Sequence, residues 1–226
     1  EALSGAALSE TALQRERGAA LESALSIVMA AFKELSAKTA AAVQKDAAVS
    51  AEVSKIQSEF ASEFAALELA DEKGGNCAKI KIFQLLDDAF AAAVGGNVKM
   101  DRKTEGSDVE VSAYPEQLKK AFSIIFSSLA RAAGGSGKGE IAFGVEVNRI
   151  NNMAVVSVSA PGVNVPADAV DKFFEPFAAR PQGGGRFGLG MHAARKIVQN
   201  HSGNIQCLRE SDDLCRVVVR IPSPQS

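Results

Sequence analysis

Gly188, Leu189 and Gly190 stand directly ahead of a helix-forming run, Met191 to Asn200. Glycines that open a helix let backbone N–H groups come close to an anion, and the positive end of the helix dipole favours negative charge there. The chemistry this arrangement can do is to hold a phosphate. The same three residues can also make a tight turn and nothing more, and an isolated Gly-x-Gly does not choose between the two. The chain has two histidines, His192 and His201, each expected in a structural or surface role. Its three cysteines, Cys77, Cys207 and Cys215, are widely spaced and include no Cys-x-x-Cys pair. Such a set offers neither a disulfide framework nor a zinc site, and it suits a reducing compartment with the thiols buried.

Two kinds of periodicity position these residues. From about Leu8 to Ala70 the sequence has no proline, one glycine at Gly18, and abundant Ala, Glu, Lys, Gln and Leu, which predicts two long helices. In the first, Leu21, Leu25, Val28, Phe32, Leu35, Thr39 and Ala42 follow alternating steps of four and three, the seam that lets helices lie together at a shallow angle. The second carries Val49, Val53, Ile56, Phe60, Phe64 and Leu67 on one face, and Gln44, Lys45 and Asp46 form the turn between them. A lone hairpin buries little, so two copies are expected to pair into a four-helix bundle. The expected homodimer interface is Leu21, Leu25, Val28, Phe32, Leu35, Val53, Ile56 and Phe60.

Beyond Lys73, Gly74, Gly75 and Asn76 the pattern changes to short alternating strands, turns and helices, marking a boundary between a helical hairpin, 1–73, and an α/β domain, 74–226. The reading predicts strands near Ala78–Phe83, Asn97–Met100, Val109–Ser112, Glu140–Val147, Ala154–Ser159, Asn204–Glu210 and Cys215–Ile221. Helices are predicted at Gln84–Val94, Pro115–Ala133 and Gly190–His201, with a short one around Ala167–Phe174. Proline suits the start of the second of these, because its missing N–H would be unpaired there anyway. The fold class is therefore α+β.

Two segments, Asp171 to Phe177 (DKFFEPF) and Phe187 to Ile205 (FGLGMHAARKIVQNHSGNI), resemble the phenylalanine box and second glycine box of the ATPase domain shared by histidine kinases, gyrase, Hsp90 and MutL. The order of the motifs, the short glycine-rich lid between them and the closing strand RVVVRIP resemble the kinase branch. The helical hairpin in front resembles that family's dimerisation and phosphotransfer domain, so the resemblance covers nearly the whole chain. It implies an ATP pocket with magnesium, a dimer, and a receiver domain as partner.

Residue by residue, the resemblance places Ser128 where active kinases carry the magnesium asparagine, and Ile124 at an earlier asparagine. Serine is shorter, and magnesium demands near-ideal octahedral geometry. The family's adenine-binding aspartate falls on Ala160, within Val156 to Pro166, with Gly162 kept and Asn164 at the second glycine. Alanine cannot accept the adenine hydrogen bond, a loss worth roughly 1.5 to 3 kcal/mol. In the lid, Ala178 and Ala179 precede Arg180, the remaining phosphate ligand. The implied pocket is thus Ser128, Gly162, Arg180, Gly188 and Gly190, with weak ATP and magnesium binding at most, no metal site and no catalytic residue. The hairpin contains no histidine, and Lys33, Glu34 and Leu35 stand at the family's His-Glu-Leu. A lysine ammonium, protonated at neutral pH, is a poor phosphoryl acceptor.

Charge adds exclusions. The 25 basic and 27 acidic side chains are spread without long runs, so no field draws in nucleic acid or an acidic membrane. Hydrophobic residues make up 46% of the sequence, ordinary for a globular protein. No apolar run approaches a membrane span and no signal peptide is visible; a cytoplasmic location is expected. The chain begins with Glu1 rather than methionine, which fits a piece of a longer protein. The expected function is a non-catalytic, dimeric regulator in a two-component pathway that binds a receiver domain or another signalling protein. The alternatives are a residual nucleotide switch or atypical kinase or phosphotransferase, and a purely structural dimerisation module.

Overall fold

The structure, a computed structural model, describes residues 25, 26, 28, 30–32, 34, 39, 47–71, 76–94, 98–103, 108–134, 141–176 and 189–223. Along the chain they group into two compact units, Glu1–Ala61 and Ser62–Ser226. In the first unit the described residues between 25 and 39 are helical. Helix α1, Ala47–Asp71, follows; it contains no glycine or proline, and its last turns from Ser62 belong to the second unit. The Phe32 and Phe60 rings meet at 4.7 Å with a 35° tilt. Leu25 is buried and Val28 is 45% exposed, Val53 and Phe60 are half-buried, and Ile56 lies in α1. Leu21, Lys33 and Leu35 lie outside the described residues.

The second unit continues with β1 (Ala78–Lys81), α2 (Ile82–Ala93), β2 (Val98–Lys103), β3 (Glu110–Ala113), α3 (Pro115–Gly134), β4 (Ile141–Ile150) and β5 (Met153–Pro161). A 3-10 turn at Ala167–Ala169, α4 (Gly190–Asn200), β6 (Asn204–Ser211) and β7 (Leu214–Pro222) complete it. Strands β1 and β3 form a two-stranded antiparallel sheet, and the main sheet has the order β2-β4-β5-β7-β6. Its β2–β4 pair is parallel and the others are antiparallel.

Register explains the layers. Val145, Val158, Val217 and Cys207 are cross-strand partners in one row, and Val147, Val156, Val219 and Ile205 form another. All eight are buried, as expected where alternate residues share one face of a sheet. The helices supply the opposing layer. On α3, Leu118, Ala121, Phe122, Ile125, Phe126 and Leu129 are fully buried at helical spacing. Pro115 begins this helix, with Glu116 in its first turn and Arg131 in its last, signs that complement the dipole. Phe90 of α2, Phe126 of α3 and Phe143 of β4 form a ring cluster with centroids 5.3 to 6.4 Å apart.

The α+β sandwich with a mixed sheet agrees with the sequence-based expectation, apart from details. The helix expected around Ala167–Phe174 is a 3-10 turn followed by tight turns, with i→i+3 bonds from Lys172, Phe173 and Glu175 to Ala169, Val170 and Lys172. Bonding at that spacing does not build an α-helix. Strand β4 runs to Ile150, and Asn151 and Asn152, with φ of 50° and 60°, turn it into β5, the left-handed pair a two-residue hairpin favours.

Candidate functional site

Helix α3 is the spine of the site. A Cβ built on Gly190 would lie 3.1 Å from Ile124 Cγ2, and one on Gly162 would lie 4.0 Å from Ala133 Cβ. Nine helical residues separate those two levels of α3, roughly 13 Å at 1.5 Å per residue. Ser128 stands between them, 4% exposed. Three of the expected pocket residues, Ser128, Gly162 and Gly190, are thus distributed along one helix, while Arg180 and Gly188 lie outside the described residues.

At the upper level, Gly162 has φ +77°, a conformation that a side chain would strain, and its N–H donates to Asp213 O at 2.8 Å. Ala160, at the end of β5, is fully buried, and Val163 and Val165 are each 1% exposed. Ala160, Val163 and Val165 make this end of the site apolar.

At the lower level α4 begins. Leu189, its N-cap residue, has no capping side chain. The cap comes from α1: Leu189 N–H donates to Glu63 Oε2 at 2.9 Å. Arg131 Nη2 lies 3.8 Å from the other carboxylate oxygen, and the Glu63 side chain is 14% exposed. Negative charge at a helix start is stabilised by the dipole and by the N–H it accepts. The last turns of α1 are held along their length. Lys120 Nζ donates to Ser62 Oγ at 3.3 Å, Gln117 Nε2 donates to Leu69 O at 2.9 Å, Asn200 Nδ2 donates to Ala70 O, and Lys196 pairs with Asp71. Phe64, Ala66, Leu67 and Ala70 are buried.

The phenylalanine box packs inward. Phe173 and Phe174 are buried and meet edge to face at 5.1 Å, while Phe177 lies outside the described residues. His192 Nδ1 donates to Phe174 O at 3.2 Å, tying the box to α4. His201 is buried at the end of that helix. Cys207 and Cys215 are buried free thiols with sulfurs 3.4 Å apart. The hydrogen bond shared with Cys207, and then burial, push the Cys215 thiol far above its ordinary range. Among the described residues there is no group of three or more His, Cys, Asp or Glu side chains placed to hold a metal, and no helix long and apolar enough to cross a membrane.

Sequence reading missed Glu63, Arg131, Gln117 and Asn200. One signal was present: continuing steps of three and four from Val53 through Ile56 and Phe60 lands on Glu63, not Phe64. A carboxylate on an apolar seam marks a residue with a specific partner.

The family model described as histidine kinase-, DNA gyrase B-, and HSP90-like ATPase matches residues 113–225, half of the chain. The sensor histidine kinase WalK of Bacillus subtilis is 25% identical over 130 residues, 56% of this chain and 21% of that protein. The sensory histidine kinase/phosphatase NtrB of Rhizobium leguminosarum is 27% identical over 172 residues, 70% of this chain and 44% of that protein. The chain thus spans less than half the length of these curated relatives. Among solved structures, the catalytic domain of histidine kinase ThkA superposes with a TM-score of 0.54 at 19% identity, over 66% of this chain and 97% of that one. The histidine kinase AdeS of Acinetobacter baumannii gives 0.58 at 11% identity, over 78% and 83%. These likenesses carry the fold. Together with the family match, they lead to one conclusion: the chain belongs to the histidine kinase-, DNA gyrase B- and HSP90-like ATPase family and is homologous to the core of sensor histidine kinases.

Proposed function

We propose that this chain is a non-catalytic member of the family, a regulator in two-component signalling that works by binding. The observation that carries the reading is Ala160. The position that would accept the adenine amino group is a methyl group, fully buried at the end of β5. Loss of one charge-assisted hydrogen bond weakens binding by roughly one to two orders of magnitude. Ser128 and Ile124 in place of two asparagines remove the magnesium side of the same pocket. The only histidines, His192 and His201, lie on α4 and just beyond its end, so no histidine in the hairpin can accept a phosphoryl group.

In this reading the helical hairpin pairs two copies into a four-helix bundle in the cytoplasm, through Leu21, Leu25, Val28, Phe32, Leu35, Val53, Ile56 and Phe60. The bundle or the ATPase-like face then binds a receiver domain or another signalling protein. A second reading, a residual nucleotide switch, has one observation in its favour: Gly162 keeps a left-handed backbone at +77°, the geometry of a loop made for close approach.

Titration calorimetry with magnesium ATP and ADP, run beside a thermal-shift assay, separates the two, because a ligand of the native state must raise its apparent stability. The binding-scaffold reading expects no heat and no shift at millimolar nucleotide. Micromolar binding overturns it in favour of the switch.

A further inference from the structure

We propose that Cys207 and Cys215 are a modification site: a peroxide joins them in a reversible disulfide that fastens β6 to β7. The proposal does not draw on the nucleotide pocket and holds whether or not the chain binds ATP.

The two thiols lie on neighbouring strands. In the β6–β7 ladder Cys207 stands opposite Val217 and Cys215 opposite Arg209, so the pair is diagonal, and both side chains lie on the buried face of the sheet. Their sulfurs are 3.4 Å apart. A disulfide needs about 2.05 Å, so rotation of the two side chains has to close roughly 1.3 Å. Both are free thiols, and in a reducing compartment a bond between such residues is transient and follows the oxidant.

Burial would shield a pair in the middle of a sheet, but this pair stands near an edge and a hairpin end. Strand β6 is the last in the sheet order, the register shifts between Arg209 and Ser211, and Cys215 adjoins the final pair of the ladder, Ser211 with Leu214. A bulge breaks the ladder locally and an edge strand is held on one side only, so this end of the hairpin opens more readily than the whole domain.

Cys207, on the edge strand and the more exposed of the two at 6%, is the sulfur that meets peroxide. Its thiolate takes one oxygen from hydrogen peroxide to give a sulfenic acid, and the released hydroxide leaves as water with the thiol proton. Cys215 sulfur then attacks Cys207 sulfur. The S–S bond forms, the S–OH bond breaks, and the departing hydroxide carries off the Cys215 proton as a second water. Two electrons have passed from the thiols to the peroxide. The bond also reaches the loop after β5, because Gly162 N–H donates to Asp213 O at 2.8 Å, and Asp213 lies in the turn that the disulfide encloses.

The test uses the full chain with Cys77→Ala, which removes the exposed thiol and leaves one intrachain pair. The folded chain is treated with hydrogen peroxide, quenched with catalase, unfolded in urea and labelled with iodoacetamide. Two labels before treatment and none after it are expected, with both restored by dithiothreitol and peptide mapping showing Cys207 joined to Cys215. Labels that persist, or a loss that dithiothreitol does not reverse, overturn the proposal. So does a cross-link that forms only when peroxide is added in urea, since the folded hairpin then does not bring the pair together. In the oxidised chain, amide exchange at Gly162 is expected to slow; an unchanged rate overturns the fastening of that loop.

Discussion

His201 Nε2 accepts the backbone N–H of Tyr114 at 3.0 Å, while its Nδ1 faces Ile197 O at 2.8 Å. A carbonyl can only accept, so Nδ1 carries the proton and the ring is the neutral tautomer with a free acceptor for the Tyr114 amide. One buried side chain thereby joins the start of α3 to the end of α4, residues 87 apart in sequence. His201→Phe keeps the ring volume and the edge-on approach to Tyr114, but leaves that N–H without an acceptor. The expected cost is about 1 to 3 kcal/mol, read as a lower urea midpoint at unchanged slope.

Gly203 follows this histidine, and its importance is steric. A Cβ there would meet Arg220 O at 2.5 Å, Val198 Cγ1 at 2.9 Å and Val198 O at 2.9 Å. Two of the three are backbone atoms, fixed by the β6–β7 ladder and by α4, so no side-chain rotation relieves the contact. Gly203→Ala is expected to destabilise by about 3 kcal/mol or more, whereas alanine at Gly144, 3.6 Å from Ser159 Cβ, changes little. Thermal denaturation of the two variants side by side checks the contrast.

What was legible in the sequence follows from how far each cause reaches. The buried stripe of α3 from Leu118 to Leu129 and the apolar runs of β5 and β7 are written in local spacing, and they emerged with boundaries within a few residues. The candidate site residues were named only through motifs; of them, Gly190 opens α4 and Gly162 turns after β5. Glu63 was legible only as a carboxylate on an apolar seam; its partners Leu189 and Arg131 lie 126 and 68 positions away, beyond what local spacing can name. Gln117 and Asn200 were missed for the same reason: each caps α1, and nothing in the residues beside them says so.

Those two caps predict how the end of α1 is held. Gln117 and Asn200 satisfy Leu69 O and Ala70 O, carbonyls that a helix end leaves without an intrahelical partner. Each alanine substitution is expected to cost about 1 kcal/mol. Because the two caps share one helix end, the double variant is expected to cost more or less than the sum, with a coupling of about 0.5 kcal/mol or more. Hydrogen exchange should then speed up across Ser62–Asp71 ahead of the sheet. Uniform acceleration over the whole chain would mean that these bonds stabilise the domain and not the seat of α1.

The cysteines give a prediction in pH. Cys77 is exposed, while Cys207 and Cys215 are buried, so iodoacetamide is expected to label the native chain once, at Cys77, and three times after unfolding. The Cys207 hydrogen bond and burial hold the Cys215 thiol above its ordinary value of 9.0. Below that value the thiol is protonated in both folded and unfolded chains, and its contribution does not vary with pH. Above it the unfolded thiol ionises and the folded one does not, so the unfolded state binds fewer protons and stability falls as pH rises, by up to about 1.4 kcal/mol per unit. Cys215→Ala is expected to remove this part of the alkaline slope and Cys77→Ala to leave it in place. Urea midpoints taken at about pH 8 and about pH 10 distinguish them, and equal slopes in wild type and Cys215→Ala would mean that the buried thiol does not titrate with folding.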